Sequence, residues 1–282
     1  MHIQFAAKEH SEQVIELWRQ CFGDSSKFVS FYLSHHPFEE KTMLLTLEGD
    51  VVTSMLSLLP AQLVIGQKKL PVRYVYAVGT DIRFRGQGLS TALLDASASL
   101  CRRRGEAGIF LIPASDSLFE FYRQRGFVSA FGVASRTVSS SEILPYSDSD
   151  LDVRPMSLSV LAALRNHAFA CLPSYIAWDE AALAYAVKAA RAALGGIYGF
   201  YKGDTPVGYV FYEPQEGCMQ LKEWCVPETL YAEALSALHA ELGASSYRLR
   251  LPGQTPFGML RWAEGISSPP PDSLGYANLI LD

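Results

Sequence analysis

Apolar positions along the first hundred residues follow two different periods. Val14, Leu17, Trp18, Cys21 and Phe22 recur at i, i+3, i+4, i+7 and i+8, which predicts an amphipathic helix over 12–22 that Gly23 stops. A shorter helical piece is expected over 26–33. The stretches 42–47 and 51–58 are β-rich and meet at Gly49-Asp50, a hairpin signal. A further turn at Gly66-Gln67-Lys68-Lys69 leads into a strand over 72–78. Helical periodicity then runs to Arg102-Arg103-Arg104, where cations suit the negative end of a helix, and Gly105 ends it. A short apolar strand over 109–112, another helix and a strand over 127–138 complete the first half.

Residues 139–152 are polar and lack apolar periodicity, which reads as a linker. Beyond them the pattern starts again. Helices are expected over 157–170 and 178–193. Strands are expected over 196–201 and 206–212, joined by Lys202-Gly203-Asp204-Thr205, and over 218–226. Pro227 fits the first position of a helix running to Leu242. Strands over 246–251 and 275–281 close the chain. This order echoes the first half. The reading is therefore an α/β (α+β) chain with mixed sheets in two tandem units: a first domain at 1–138, a linker at 139–152 and a second, similar domain at 153–282.

The run from Thr80 to Leu94 adds chemistry to this pattern. It places Arg85-Gly86-Gln87-Gly88-Leu89-Ser90 between a strand and a helix. Such a turn aims several backbone N–H groups, with the positive end of the helix dipole, at one spot that suits a phosphate or pyrophosphate. Gly86 and Gly88 allow close approach and unusual backbone angles, and Arg85 can add a charge-assisted contact. By itself the turn is equally explained as a tight connection. It is neither a Walker loop, since no Gly-Lys-Ser/Thr follows, nor a dinucleotide fingerprint, since the third glycine is missing.

A second run, Ser115-Asp116-Ser117-Leu118-Phe119-Glu120-Phe121-Tyr122-Arg123-Gln124-Arg125-Gly126-Phe127, follows one strand later. Together the two runs resemble the GNAT superfamily of acyl-CoA-dependent N-acetyltransferases. Arg85-x-x-Gly88-x-Ser90 matches the Arg/Gln-x-x-Gly-x-Gly/Ala signature, with Ser90 departing from the usual Gly or Ala. Phe121-Tyr122 and Gly126-Phe127 match Phe-Tyr-x-x-x-Gly-Phe. Ser115 replaces the family's common Asn and is expected to cap the second helix. The resemblance implies a GNAT fold and acetyl-CoA as co-substrate, with no metal. It implies that Val78, Gly79 and Thr80 hold the pantetheine by backbone hydrogen bonds, and that Arg85, Gly86, Gln87, Gly88, Leu89, Ser90 and Thr91 hold the pyrophosphate, with Ser115 nearby. It implies that Tyr122 protonates the departing thiolate; packing against the cofactor is the alternative role for that ring. The tandem layout resembles the Eis-like branch, without that branch's sterol-carrier-like domain. In that branch the C-terminal carboxylate reaches the active site, which makes Asp282 a candidate.

No general base is visible. Asp116 and Glu120 are expected on helix surface, Asp81 is too close to the pyrophosphate turn, and His35 and His36 fall where GNAT substrate clefts often lie. The second half offers Cys225-Val226-Pro227-Glu228 in place of the Gly-rich turn, and Glu228 would repel a pyrophosphate, so one donor site is expected. Residues 1–149 carry 15 acidic and 15 basic side chains, and 150–282 carry 14 and 9, so the whole net charge of −5 lies in the second half. That excess could attract an amine-bearing cation or be an ordinary solvated surface.

Composition fits an ordinary globular protein, at 49% apolar and 19% charged. A pI near 5.7 argues against nucleic acid as partner. No signal peptide and no membrane-spanning stretch is visible. Five scattered cysteines without metal spacing suit a reducing compartment, and the cytoplasm is expected. Sheet edges and apolar content would permit a homo-oligomer. The functional reading is transfer of an acetyl group to a primary amine of a small molecule. The alternatives are a non-catalytic acyl-CoA-binding or interaction protein and a protein N-acetyltransferase.

Overall fold

The structure, a computed structural model, describes residues 2–146, 149–266 and 273–278. Among the described residues the chain divides into two compact units. One comprises residues 2–63, 69–129 and 258–266; the other comprises 64–68, 130–146, 149–257 and 273–278.

Unit 1 opens with β1 (His2–Phe5), which the sequence reading missed because four residues are too few for a period. Helix α1 (Ser11–Phe22) buries Val14, Leu17 and Trp18 and ends at Gly23 in a left-handed conformation. Helix α2 (Ser26–His35) is capped by Ser25, whose hydroxyl accepts from the Phe28 N–H. Strands β2 (Met43–Glu48), β3 (Val51–Ile65) and β4 (Lys68–Thr80) follow. Helix α3 (Leu89–Arg104) leads to β5 (Gly108–Leu111) and α4 (Asp116–Arg123). The sheet of this unit runs β1-β2-β3-β4-β5 and is closed by β13 (Thr255–Trp262), a late strand that the sequence reading did not foresee. β13 runs antiparallel to β5, with Met259 opposite Leu111. β4 and β5 run parallel, as expected for strands joined by a crossover helix. The core between the sheet and helices α3 and α4 contains Leu56, Leu58, Val75, Leu93, Leu94, Ile109, Tyr122, Phe127 and Met259.

Unit 2 repeats this plan. Its sheet runs β7 (Leu151–Arg154), β9 (Gly196–Lys202), β10 (Thr205–Gln215), β11 (Cys218–Cys225), β12 (Ser246–Pro252) and β6 (Val128–Ser139). Again one pair is parallel, β11 with β12, joined by helix α7 (Tyr231–Leu242). β6 closes the sheet antiparallel to β12, with Tyr247 opposite Val138. Thus the strand that closes unit 1 comes from the end of the chain, and the strand that closes unit 2 comes from its middle. Helices α5 (Leu158–Phe169) and α6 (Glu180–Ala192) precede the meander, as α1 and α2 do in unit 1, with the short β8 (Tyr175–Ala177) between them. The core here contains Phe200, Val210, Leu221, Trp224, Leu235, Leu238, Tyr247 and Leu249.

Two local expectations are corrected. Pro227 does not begin α7: it precedes a 3-10 turn, Glu228–Leu230, and α7 begins at Tyr231. The stretch expected as a strand over 275–281 contributes isolated bridges at Gly275 and Tyr276, and Leu279 to Asp282 lie outside the described residues. No helix is long and apolar enough to cross a membrane among the described residues.

Candidate active site

The site is built around the end of β4. β4 pairs with β5 over three residues only, Val72 to Tyr74 against Gly108 to Phe110, yet β4 continues to Thr80. β5 ends at Leu111, so the β4 edge from Val75 onward has no β5 partner. Ala77 adopts φ 52°, in the left-handed region, which breaks the pleat. The alternation shows the consequence. Val75 and Val78 both pack on the α3/α4 core, three residues apart where a regular strand would place them on opposite faces. Gly79 then faces α1, where an added Cβ would meet Cys21 Sγ at 3.0 Å and Met55 Cε at 3.4 Å.

Three protein groups fix the strand end. The Ser54 hydroxyl donates to the Gly79 carbonyl at 2.7 Å and lies 2.9 Å from Thr80 Oγ1. The Arg85 Nε donates to the Thr80 carbonyl at 3.2 Å, and the Cys21 thiol approaches the same oxygen at 3.6 Å. Asp81, buried, accepts three bonds from the Arg83 guanidinium and one from the Arg83 N–H. Those bonds hold its carboxyl below the usual carboxylate range despite burial, so Asp81 is committed to shaping the turn.

Beyond it the chain turns through Gly86 (φ 79°) and Gly88 (φ 77°), both left-handed. An added Cβ at either would meet nothing within 4 Å, so glycine is needed here for backbone angle rather than space. Gly88 is the N-cap of α3 and brings no side-chain cap, while its carbonyl accepts from Ala92. The N–H groups of Leu89, Ser90 and Thr91 therefore open the helix without a capping side chain. Arg85 and Gln87 are exposed beside them, Leu89 is buried, and Ser90 and Thr91 are half-buried. An uncapped N-terminus behind two left-handed glycines and an arginine fits a phosphate group.

Tyr122 lies in the last turn of α4 and is buried in the core, with the rings of Phe121 and Phe127 at 5.2 and 5.5 Å. Burial pushes its hydroxyl up to about 12, partly opposed by Arg125. Ser115 stands at the N-cap of α4, but its hydroxyl meets Ser117 Oγ at 3.0 Å instead of a helix N–H. The expected cap is therefore not made: the neighbouring serine satisfies the hydroxyl first. Asp116 and Glu120 are exposed, and Glu120 pairs with Arg123. His35 and His36 lie at the end of α2, their rings tilted against Phe31 and Tyr32 at 4.5 and 4.7 Å. Burial, with His35 beside it, lowers His36 to about 4.

Ser54, Cys21 and Arg125 carry no signal in the motifs, yet Ser54 and Cys21 contact the end of β4 and Arg125 contacts Thr91. A hollow of about 410 Å³ opens beside Asp81, lined by Glu12, Glu16, Gln20 and Arg83 among others; none of the residues expected to hold the donor lines it. Among the described residues no group of three His, Cys, Asp or Glu is arranged to hold a metal ion.

The strand, turn and helix of unit 1 form a GNAT-type domain. Residues 2–130 match the family described as acetyltransferase (GNAT) domain, and the chain carries a domain of that family. Among solved structures, a probable N-acyltransferase of Enterococcus faecalis V583 and a GCN5-related N-acetyltransferase of Anabaena variabilis ATCC 29413 are each similar to it. Each has a TM-score of 0.76 at 18% identity, covering 93% of this chain and 73% of theirs. Eis1 of Mycobacterium abscessus is similar at a TM-score of 0.66 and 16% identity, covering 94% of this chain and 74% of its own. No match is found among curated proteins.

Proposed function

We propose that the chain is an acetyl-CoA-dependent N-acetyltransferase that acts on a primary amine of a small molecule in the cytoplasm, where its five free cysteines would stay reduced. One observation carries this reading. The unpaired edge of β4 ends at Thr80, and the uncapped, Gly-flanked N-terminus of α3 follows it directly. An extended chain bearing a pyrophosphate matches that sequence of groups.

Acetyl-CoA, when bound, supplies an acyl group activated as a thioester. The backbone of Val78, Gly79 and Thr80 would hold its pantetheine arm as an added strand holds a sheet edge. The N–H groups from Gly86 to Thr91 would hold its pyrophosphate, with Arg85 and Gln87 at the exposed rim and Ser115 near the opening of α4. A backbone N–H of the same strand, β4, would accept developing negative charge on the carbonyl oxygen. As the amine nitrogen bonds to the acetyl carbon and the C–S bond breaks, the sulfur would depart with the bonding pair and take the Tyr122 proton; the proton lost by the nitrogen would pass to water, and water would reprotonate the phenolate. Unit 2 would bind no donor, because Pro227 lacks an N–H and Glu228 brings negative charge where unit 1 has glycine.

The test is thermal denaturation with millimolar acetyl-CoA, followed by turnover on an amine panel. A ligand at 100 times its Kd stabilises by about 2.7 kcal/mol. Unchanged melting would overturn the reading. Binding without turnover on any amine or peptide would favour the non-catalytic alternative, and turnover on peptides alone would favour a protein acceptor.

A further inference from the structure

Arg125 occupies a spacer position of the Phe-Tyr-x-x-x-Gly-Phe run, yet it joins the two motifs. Its Nε donates to Thr91 Oγ1, in the first turn of α3, at 2.7 Å. One terminal nitrogen donates to the Phe121 carbonyl at 2.6 Å. The guanidinium lies over the Phe121 ring, 3.4 Å from its centre. Its own N–H donates to the Tyr122 carbonyl at 2.9 Å, and Gly126 (φ 80°) then turns the chain away. The side chain is therefore held at three points, with little rotamer freedom left to lose.

This placement has an electrostatic cost. Arg125 is half-buried, and among the described residues no carboxylate pairs with it. It also stands at the positive end of the α3 dipole, where a cation is disfavoured. Packing on Phe121 explains where the side chain lies, but an aliphatic residue could pack there without that cost. An anion at the α3 N-terminus would reverse the sign of both terms.

Resting on the acetyl-CoA reading above, we propose that Arg125 is a positioning residue of the acyl-donor site. It fixes the first turn of α3 against the helix that carries Tyr122, and its charge strengthens the hold of that turn on the donor's phosphates. The donor's distal half thereby helps set the position of the turn relative to the phenol.

Two donors separate this role from a purely structural one: acetyl-CoA, and S-acetylpantetheine, which has the same thioester and arm but no phosphate. The Arg125→Met variant keeps length and packing on Phe121 and removes the charge; Arg125→Lys keeps the charge and loses the fork. The quantity read is the ratio of kcat/KM for acetyl-CoA to that for S-acetylpantetheine. For Arg125→Met this ratio is expected to fall roughly tenfold to a hundredfold, the scale of one lost charged hydrogen bond, through KM for acetyl-CoA. Arg125→Lys should recover part of it, and the wild-type preference for acetyl-CoA should weaken with salt more steeply than that of Arg125→Met. An equal loss on both donors, or no loss on either, overturns the proposal while leaving the acetyl-CoA reading intact. Failure of the wild-type protein to use or bind acetyl-CoA overturns both.

Discussion

Gly79 and Cys21 stand so close that a Cβ on the glycine would lie 3.0 Å from the cysteine sulfur. The contact joins the end of β4 to the last turn of α1. It also makes Gly79 a position where side-chain volume decides the course of the strand that is expected to hold the donor. Gly79→Ala should destabilise the protein by about 1–2 kcal/mol, as a single added carbon in a packed place does, and should raise KM for acetyl-CoA. Adding Cys21→Ala should recover most of the melting temperature. If the double variant melts as low as Gly79→Ala alone, the sulfur is not what confines Gly79.

Tyr122 offers a kinetic test. Removing a general acid lowers kcat by about a hundredfold or more, so Tyr122→Phe should lose at least that, with KM for acetyl-CoA little changed. The pH dependence follows from burial, which raises the hydroxyl to about 12. Deprotonation is disfavoured in the fold, so the associated stability is full below pH 10 and declines as pH rises toward 12. The phenol thus stays protonated through the ordinary assay range. An alkaline fall of kcat between pH 8 and 10 in the wild type should therefore persist in Tyr122→Phe. Disappearance of that limb in the variant would place the phenol's titration far lower than burial implies.

The motif turn and the α4 run were legible because their chemistry is local. Glycine at left-handed angles, an arginine and a helix start are all encoded within a dozen residues. The helices α1, α3, α5 and α6 were legible for the same reason, since a 3.6-residue period needs only one face of apolar side chains. The exchange of closing strands was not. β6 and β13 have strand-like composition, but nothing in a strand's own residues states which sheet edge it joins, and β13 follows β12 after only two residues, Gly253 and Gln254. The bulge at Ala77 was hidden too, because alanine does not ordinarily adopt φ 52° and the surrounding fold imposes it. Arg125 was hidden because its partner Thr91 is 34 residues away. Ser115 was misread in the opposite sense, since a good capping residue beside Ser117 found a nearer partner.

Unit 2 contains a buried ion pair whose loss should be costly. Arg165 and Glu223 are both fully buried, with bonds of 3.0 and 3.3 Å between them. Tyr209 donates to the same carboxylate at 2.6 Å, and Arg165 also donates to the Ile176 carbonyl at 2.6 Å. Glu223→Gln keeps the shape but leaves a buried guanidinium without its counter-charge. Breaking such a pair from one side costs about 3–5 kcal/mol, so the variant should melt far below the wild type or fail to accumulate as folded protein. The double variant Arg165→Met/Glu223→Leu should be much closer to wild type, because replacing both charges by apolar groups removes the desolvation cost as well. A double variant as unstable as Glu223→Gln would mean that the network specifies the packing of α5 on the sheet and does more than neutralise its own charge.

His36 should govern part of the acid response of unit 1. Its imidazole is lowered to about 4 by burial, with the neighbouring His35 adding to the effect. The unfolded chain, with an ordinary value near 6.5, binds the proton more readily than the folded one. Stability that depends on neutral His36 is therefore full above pH 6.5 and is lost progressively as pH falls toward 4. The ring packs against Tyr32 at 4.7 Å, and Tyr32 in turn meets Trp18 at 4.8 Å and Tyr76 at 5.7 Å. Charging the ring should thus loosen the aromatic cluster that holds α1 and α2 against β4, next to the expected donor strand. His36→Phe keeps an aromatic ring in that cluster and cannot be protonated. Its melting temperature should fall less steeply than that of the wild type between pH 6.5 and 4, and the two curves should run parallel above pH 7. Identical acid slopes would assign the response to other groups and leave His36 as packing alone.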